Sequence, residues 1–281
     1  MILKKGLYVI HPKREEWGVG KVIDSIGNNV YSLFFEHGGF RNFDKKNNPL
    51  VLSEIEFNKE IFENLNDANT KTFVTISDLE KHFLEDYEDG FSGKIYKDRE
   101  RDYKDKAHSL AIELLGIEEY SKLLEDKDYE EIFRRAYKII TATNLIFPNE
   151  KMAFKDGFTN DLDKEAFANI LFDVLYKKEN EELEFERFAL FLNKINAGKW
   201  TIVSYLQFFI NPYEYIFIKP TITQKIAEIS AYDIQYTSQI NWNTYNRVQK
   251  FSKYLKNNIS SLFPKDMIDV QSFIWCVSDR K

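Results

Sequence analysis

Trp17-Gly18-Val19-Gly20-Lys21-Val22-Ile23-Asp24-Ser25-Ile26-Gly27-Asn28-Asn29-Val30-Tyr31-Ser32-Leu33-Phe34-Phe35 is the stretch whose reading decides the first part of the fold. Gly18 and Gly20 form a turn that feeds a strand through Lys21-Val22-Ile23. Gly27-Asn28-Asn29 tolerates the positive φ of a tight hairpin. Val30 to Phe35 alternates and is rich in β-formers. Working outward, Leu7-Tyr8-Val9-Ile10 is a short strand, Gly38-Gly39 turns again, and Arg41 to Phe43 and Leu50 to Leu52 close the pattern. Four or five short strands in about 50 residues predict a small closed barrel.

The rest of the chain reads differently. Asn64-Leu65-Asn66-Asp67-Ala68-Asn69 is turn-rich, and Thr75-Ile76-Ser77-Asp78 carries an N-cap and a helical start. Lys97 to Asp102 is a mixed-charge run, read as a solvated helix face or a loop. From residue 106 the period is helical, beginning with the stripe Ala107, Leu110, Ala111, Leu114, Leu115. Helices are expected near 129–140, 162–177, 182–195, 199–209, 221–230, 242–262 and 266–277. The expected organisation is a barrel over 1–56, a connector over 57–105 and an all-α domain over 106–281. The fold class is α+β.

Composition sets outer bounds. The 281 residues are 43% hydrophobic and 30% charged, which suits a globular chain with a sizeable core. Cys276 is the single cysteine, so neither a disulfide framework nor a multi-cysteine zinc site is expected. The first residues lack the apolar run of a signal peptide, and no stretch reaches about 18 apolar residues. A cytoplasmic protein without membrane partners is the expectation. Net charge is −6 but uneven. Residues 1–56 hold 8 Lys/Arg against 7 Asp/Glu, and residues 191–281 hold 11 against 6, so the middle carries the acid. The basic last third leaves room for a phosphate-binding face.

No P-loop, nucleophile elbow or dinucleotide fingerprint occurs, and no two of the four histidines stand at ligand spacing. ATPases, dehydrogenases and serine hydrolases are thereby disfavoured, and no metal or cofactor is expected. Three segments stand out. Lys194-Ile195-Asn196-Ala197-Gly198-Lys199-Trp200 is a tight turn before an apolar helix, whose first amides can hold a phosphate. Lys199 there is either a partly desolvated amine nucleophile or a snorkelling surface lysine. Tyr215-Ile216-Phe217-Ile218-Lys219-Pro220-Thr221 delivers one charge to a helix mouth, with Lys219 held extended by the proline. Met267-Ile268-Asp269-Val270-Gln271-Ser272-Phe273-Ile274-Trp275, after the N-cap Asp266, places Asp269 and Gln271 as polar intrusions in an apolar helix. Buried polar groups need partners.

Two resemblances rest on these residues. His11-Pro12-Lys13, Glu16-Trp17-Gly18-Val19-Gly20-Lys21-Val22, Phe34-Phe35-Glu36 and Gly39 resemble the Tudor/SH3-like barrel called DUF3553. It is related to barrels of bacterial repair helicases and CarD-type RNA polymerase-binding factors. That implies a non-catalytic module whose partner surface is Trp17, Lys21 and Arg41, with RNA polymerase, a helicase or nucleic acid as partner. The order and spacing of the three C-terminal segments resemble helix-hairpin-helix DNA glycosylases, the 8-oxoguanine branch in particular, over about 130 residues. The hairpin is shorter than the family's Leu-Pro-Gly-x-Gly, and Lys219 stands nearest the family's aspartate position.

The second resemblance implies a double-stranded DNA partner and base excision after base flipping. Lys199 takes the catalytic-lysine place, with Asp269 as the substitute carboxylate. Gln271 reads the base, Phe273, Trp275 or Trp242 stacks on it, and Asn144, in Thr143-Asn144-Leu145-Ile146, fills the vacated gap. Gly198, Lys219, Arg247 and Lys250 hold phosphates, and the barrel adds affinity as a tether. Base repair and antiviral attack on modified phage DNA both fit. This reading requires Lys199 and Gln271 to line one cavity. The alternatives are a non-enzymatic adaptor acting through the barrel, and a helical regulator without a DNA role.

Overall fold

The computed structural model describes residues 2–24, 29–66 and 72–278. Gly27 and Asn28 of the expected hairpin, and residues 67–69 of the turn-rich segment, lie outside them. The N-terminal part is a five-stranded antiparallel sheet of β1 (Tyr8–Ile10), β2 (Gly20–Asp24), β3 (Val30–Phe35), β4 (Gly39–Asp44) and β5 (Val51–Leu52), in the order β4-β3-β2-β1-β5. β4 and β5 are its edges; the expectation of a closed barrel reduces to this sheet. The glycines of the opening stretch act differently. Gly18 takes φ +69, whereas Gly20 lets β2 approach the Phe35 ring, which a Cβ would meet at 2.6 Å.

Both faces of β3 are covered. Tyr31, Leu33 and Phe35 enclose a small core with Val9, Val22 and Leu50. Phe34 points the other way and, with Val19, joins the main core of the helical part. Its ring lies 5.1 Å from Phe73 and 6.1 Å from Phe62. The sheet is therefore packed onto the helices.

Thirteen α-helical segments occur among the described residues. The short α1 (Glu60–Glu63) and α2 (Ile76–Asp86) precede a nearly continuous rod. That rod comprises the single turn α3 (Lys94–Tyr96), a π-helical turn (Lys97–Arg101) and α4 (Asp102–Leu115). Then come α5 (Ile117–Glu125), α6 (Tyr129–Thr141), α7 (Pro148–Asp156), α8 (Asp161–Tyr176) and α9 (Glu181–Lys194). The last are α10 (Trp200–Ile210), α11 (Pro220–Ile229), α12 (Trp242–Asn258) and α13 (Met267–Ser278). Asn160, Asn180 and Asn241 cap α8, α9 and α12 by accepting first-turn amides. α10 is buried along its whole length and packs against α4, α6, α8 and α9.

The expected connector is part of this core. Phe62, Phe83, Phe91 and Tyr96 are buried with α10, and the expected boundary at residue 105 falls inside α4. The charge run 97–102 is helical and largely a solvated face, with Lys97, Asp98, Arg99 and Asp102 exposed, but Arg101 is buried in the π turn.

Candidate functional site

A cleft of about 590 Å³ opens between the π turn, α4, the α6–α7 loop, the mouth of α11 and α13. Asn144, Lys219, Gln271 and Trp275 line it together with Arg99, Glu100, Tyr103 and Lys104. The volume suits a small-molecule site, typically about 300–1,000 Å³.

Each wall is fixed from below. In the α6–α7 loop, the Thr143 hydroxyl pairs with the Tyr205 hydroxyl at 2.7 Å and accepts the Leu145 amide at 3.2 Å. The Lys151 ammonium donates to the Thr143 carbonyl at 2.6 Å, which leaves Asn144 exposed on a pinned rim. The segment before α11 is anchored by Ile216 N–H to the Gln249 side-chain oxygen and by Ile218 N–H to Ser204 Oγ. Pro220 then keeps Lys219 extended (φ −106, ψ 102). The Lys219 ammonium makes no ion pair with a described residue. It rests 4.6 Å from the Trp275 ring centroid and 5.2 Å from that of Phe147.

The floor holds two unusual groups. Gln271 is 2% exposed, and its side-chain oxygen accepts no hydrogen bond. An unsatisfied buried acceptor costs about 1–3 kcal/mol. Lys104 is 0% exposed. Its ammonium donates to Ser272 Oγ at 2.7 Å and to Glu100 Oε2 at 3.1 Å, and burial lowers its pKa from the usual lysine range.

A second cleft, about 640 Å³, is larger but chemically closed. Arg101 and Asp269 line it, and they are paired to each other at 2.8 Å. Arg101 also binds Asp266 through both terminal nitrogens at 2.7 Å, and its Nε donates to Asp105 at 2.9 Å. Asp269 accepts further bonds from the Tyr96 hydroxyl and the Lys265 amide, each at 2.7 Å. Among the described residues no buried side-chain polar atom facing this cleft lacks a partner.

The other expected site residues fall elsewhere. Lys199 is exposed at the N-cap of α10 and does not line the Gln271 cleft, so the shared cavity that its role required is not formed. Asp269 is a buried ion-pair anchor, consumed by Arg101. Phe273 is sealed in the core, 5.5 Å from the Phe83 ring, and cannot stack on a ligand. Trp242 packs on Phe185 and Tyr245, each at 5.7 Å, away from the cleft. Gly198 serves the α9–α10 hairpin: a Cβ there would stand 1.8 Å from Asn193 Oδ1. Arg247 is spent on Asn64 Oδ1 and the Asp233 carbonyl, and Lys250 is exposed on α12 outside the cleft. On the sheet, Trp17 packs against Phe35 and His11, with the exposed Arg41 guanidinium 5.1 Å from its ring. Lys21 is not on that surface, because its ammonium donates to the Phe62 carbonyl at 2.7 Å.

Sequence reasoning missed Glu100, Lys104 and Arg99. One signal was present. Lys104 falls on the same helical stripe as Tyr96, Ala107 and Ala111, and a lysine on an apolar stripe needs a partner one turn away, here Glu100. Cys276 is no nucleophile, since burial pushes its thiol up to about 12. Among the described residues no three His, Cys, Asp or Glu side chains converge to hold a metal ion, and no helix is long and apolar enough to cross a membrane.

The family model described as "Protein of unknown function (DUF3553)" matches residues 3–52, the span of the five-stranded sheet. No curated protein and no solved structure matches the chain.

Proposed function

We propose that this chain is a DNA-acting protein, a glycosylase that swings one modified or damaged base out of the duplex and takes it into the Gln271 cleft. The observation that carries the reading is that Gln271, whose side-chain oxygen has no partner, lines one cleft with Trp275, Lys219 and Asn144. An N–H on the edge of an extruded base satisfies that oxygen. The base stacks on Trp275 as the Lys219 ammonium turns to a backbone phosphate, with Arg99 beside it. Asn144, on its pinned loop, enters the gap in the stack.

The cavity shared by Lys199 and Gln271 that the lysine-nucleophile mechanism requires is not formed, so that mechanism is given up and the proposal rests on the Gln271 cleft alone. The test is base release from duplexes carrying uracil, 8-oxoguanine, alkylated bases, or hydroxymethylated and glucosylated cytosine, with alkali turning abasic sites into breaks. The wild-type chain and Lys199→Ala are expected to cut the same substrate at equal rates, and Gln271→Met to lose at least tenfold. Absence of breaks on every duplex, with DNA or polymerase captured through the Trp17–Arg41 surface, would replace this reading by the adaptor.

A further inference from the structure

The cleft holds one carboxylate, Glu100, and its support is unlike that of an ordinary helix pair. An i, i+4 lysine–glutamate bridge normally lies in water, where it contributes little. Here the lysine is fully sealed, so the chain carries the desolvation of an ammonium to keep it beside Glu100. Lys104 occupies only Oε2; no described residue bonds Oε1, which leaves it for whatever enters. The helix is also distorted at this point. Lys97–Arg101 is a π turn, a form frequently found at functional sites. It sends Arg99 and Glu100 to this cleft while Lys97 and Arg101 face the other.

We infer that Glu100 is the catalytic carboxylate of the cleft and that Lys104 is the positioning residue that holds it, an assignment that rests on the base-excision reading above. Glu100 Oε1 accepts a proton from a water molecule while the water oxygen bonds to the sugar C1′. The C1′–N bond breaks, and its electron pair leaves with the base. The proton taken by Glu100 passes to the departing base nitrogen. The products are the free base, protonated at that nitrogen, and a sugar with a hydroxyl at C1′; Glu100 returns to its starting state. Water is the co-substrate, and no oxidant or metal enters the balance.

The experiment is single-turnover base release on whichever duplex the wild-type chain cuts, with duplex affinity and thermal unfolding measured alongside. Glu100→Gln, nearly isosteric, is expected to lower the rate at least 100-fold with Kd within twofold. Glu100→Asp, which keeps the charge, is expected to retain more than Gln does, and it decides the matter if the Gln variant does not fold. Lys104→Met is expected to lower kcat about tenfold with KM unchanged and Tm equal or higher, a split that a merely structural lysine would not produce. Glu100→Gln at wild-type rate, or Glu100→Asp no better than Gln, overturns the assignment and leaves the base-excision reading standing. Absence of release by the wild-type chain overturns both.

Discussion

At the scale of single residues, the site is built from groups that ordinary folding would avoid. Gln271 leaves an acceptor unpaired, and Lys104 buries an ammonium. Neither arrangement favours the folded state by itself, because an isosteric apolar residue removes the desolvation cost outright. Gln271→Met is therefore expected to raise the unfolding free energy by about 1 kcal/mol while it lowers base release at least tenfold. Chemical denaturation checks the first half, and a lower midpoint would mean that the amide is structurally satisfied. Asp269 illustrates the opposite case. Sequence reading found it correctly as a polar intrusion, but Arg101, 168 residues away in the chain, is its partner, and such a pairing has no local signature.

At the scale of elements, the helices were legible because their periods and caps are local. Expected spans such as 162–177 and 242–262 meet α8 and α12 to within a few residues, with the 3-10 turn Ser260–Leu262 completing the latter. The strands were legible for the same reason. Of the rod from Lys94 to Leu115, the part from residue 106 was legible by its stripe and the part before it was not. A π turn has no hydrophobic period of its own, and a run of alternating charges reads as surface unless its burial is known. The α9–α10 hairpin stands where the sequence places it and closes a helix pair by the approach of Gly198 to Asn193, with Asn196 taking the left-handed conformation at φ 59. Lys199 follows that turn and faces solvent. Of the expected site, Asn144 in the α6–α7 loop, Lys219 at the mouth of α11, and Gln271 and Trp275 on α13 converge on one cleft.

At the scale of the whole molecule, the sheet and the helices share one core, through Val19 and Phe34, and the buried aromatic residues give that core a pH limit. Burial raises the pKa of Tyr96, Tyr120, Tyr205, Tyr232, Tyr245 and Tyr254 above the ordinary 10.0, and holds Tyr176 and Tyr215 at about 12. The folded state keeps those protons where the unfolded chain releases them. Their contribution is complete below pH 10 and is lost as pH rises above it. Denaturation midpoints are expected to fall steeply from pH 10 to 12, with the buried tyrosines ionising at 295 nm only as the protein unfolds; free titration of all tyrosines in the folded state would contradict this packing.

Entry of an extruded base into the Gln271 cleft can be checked by photo-crosslinking a duplex that carries 5-iodouracil in a mismatch and sequencing the labelled peptide. A crosslink to Trp275 on α13 is expected, and its loss in Gln271→Met. Crosslinks confined to Trp17 and its neighbours on the sheet, with none in the cleft, would contradict it.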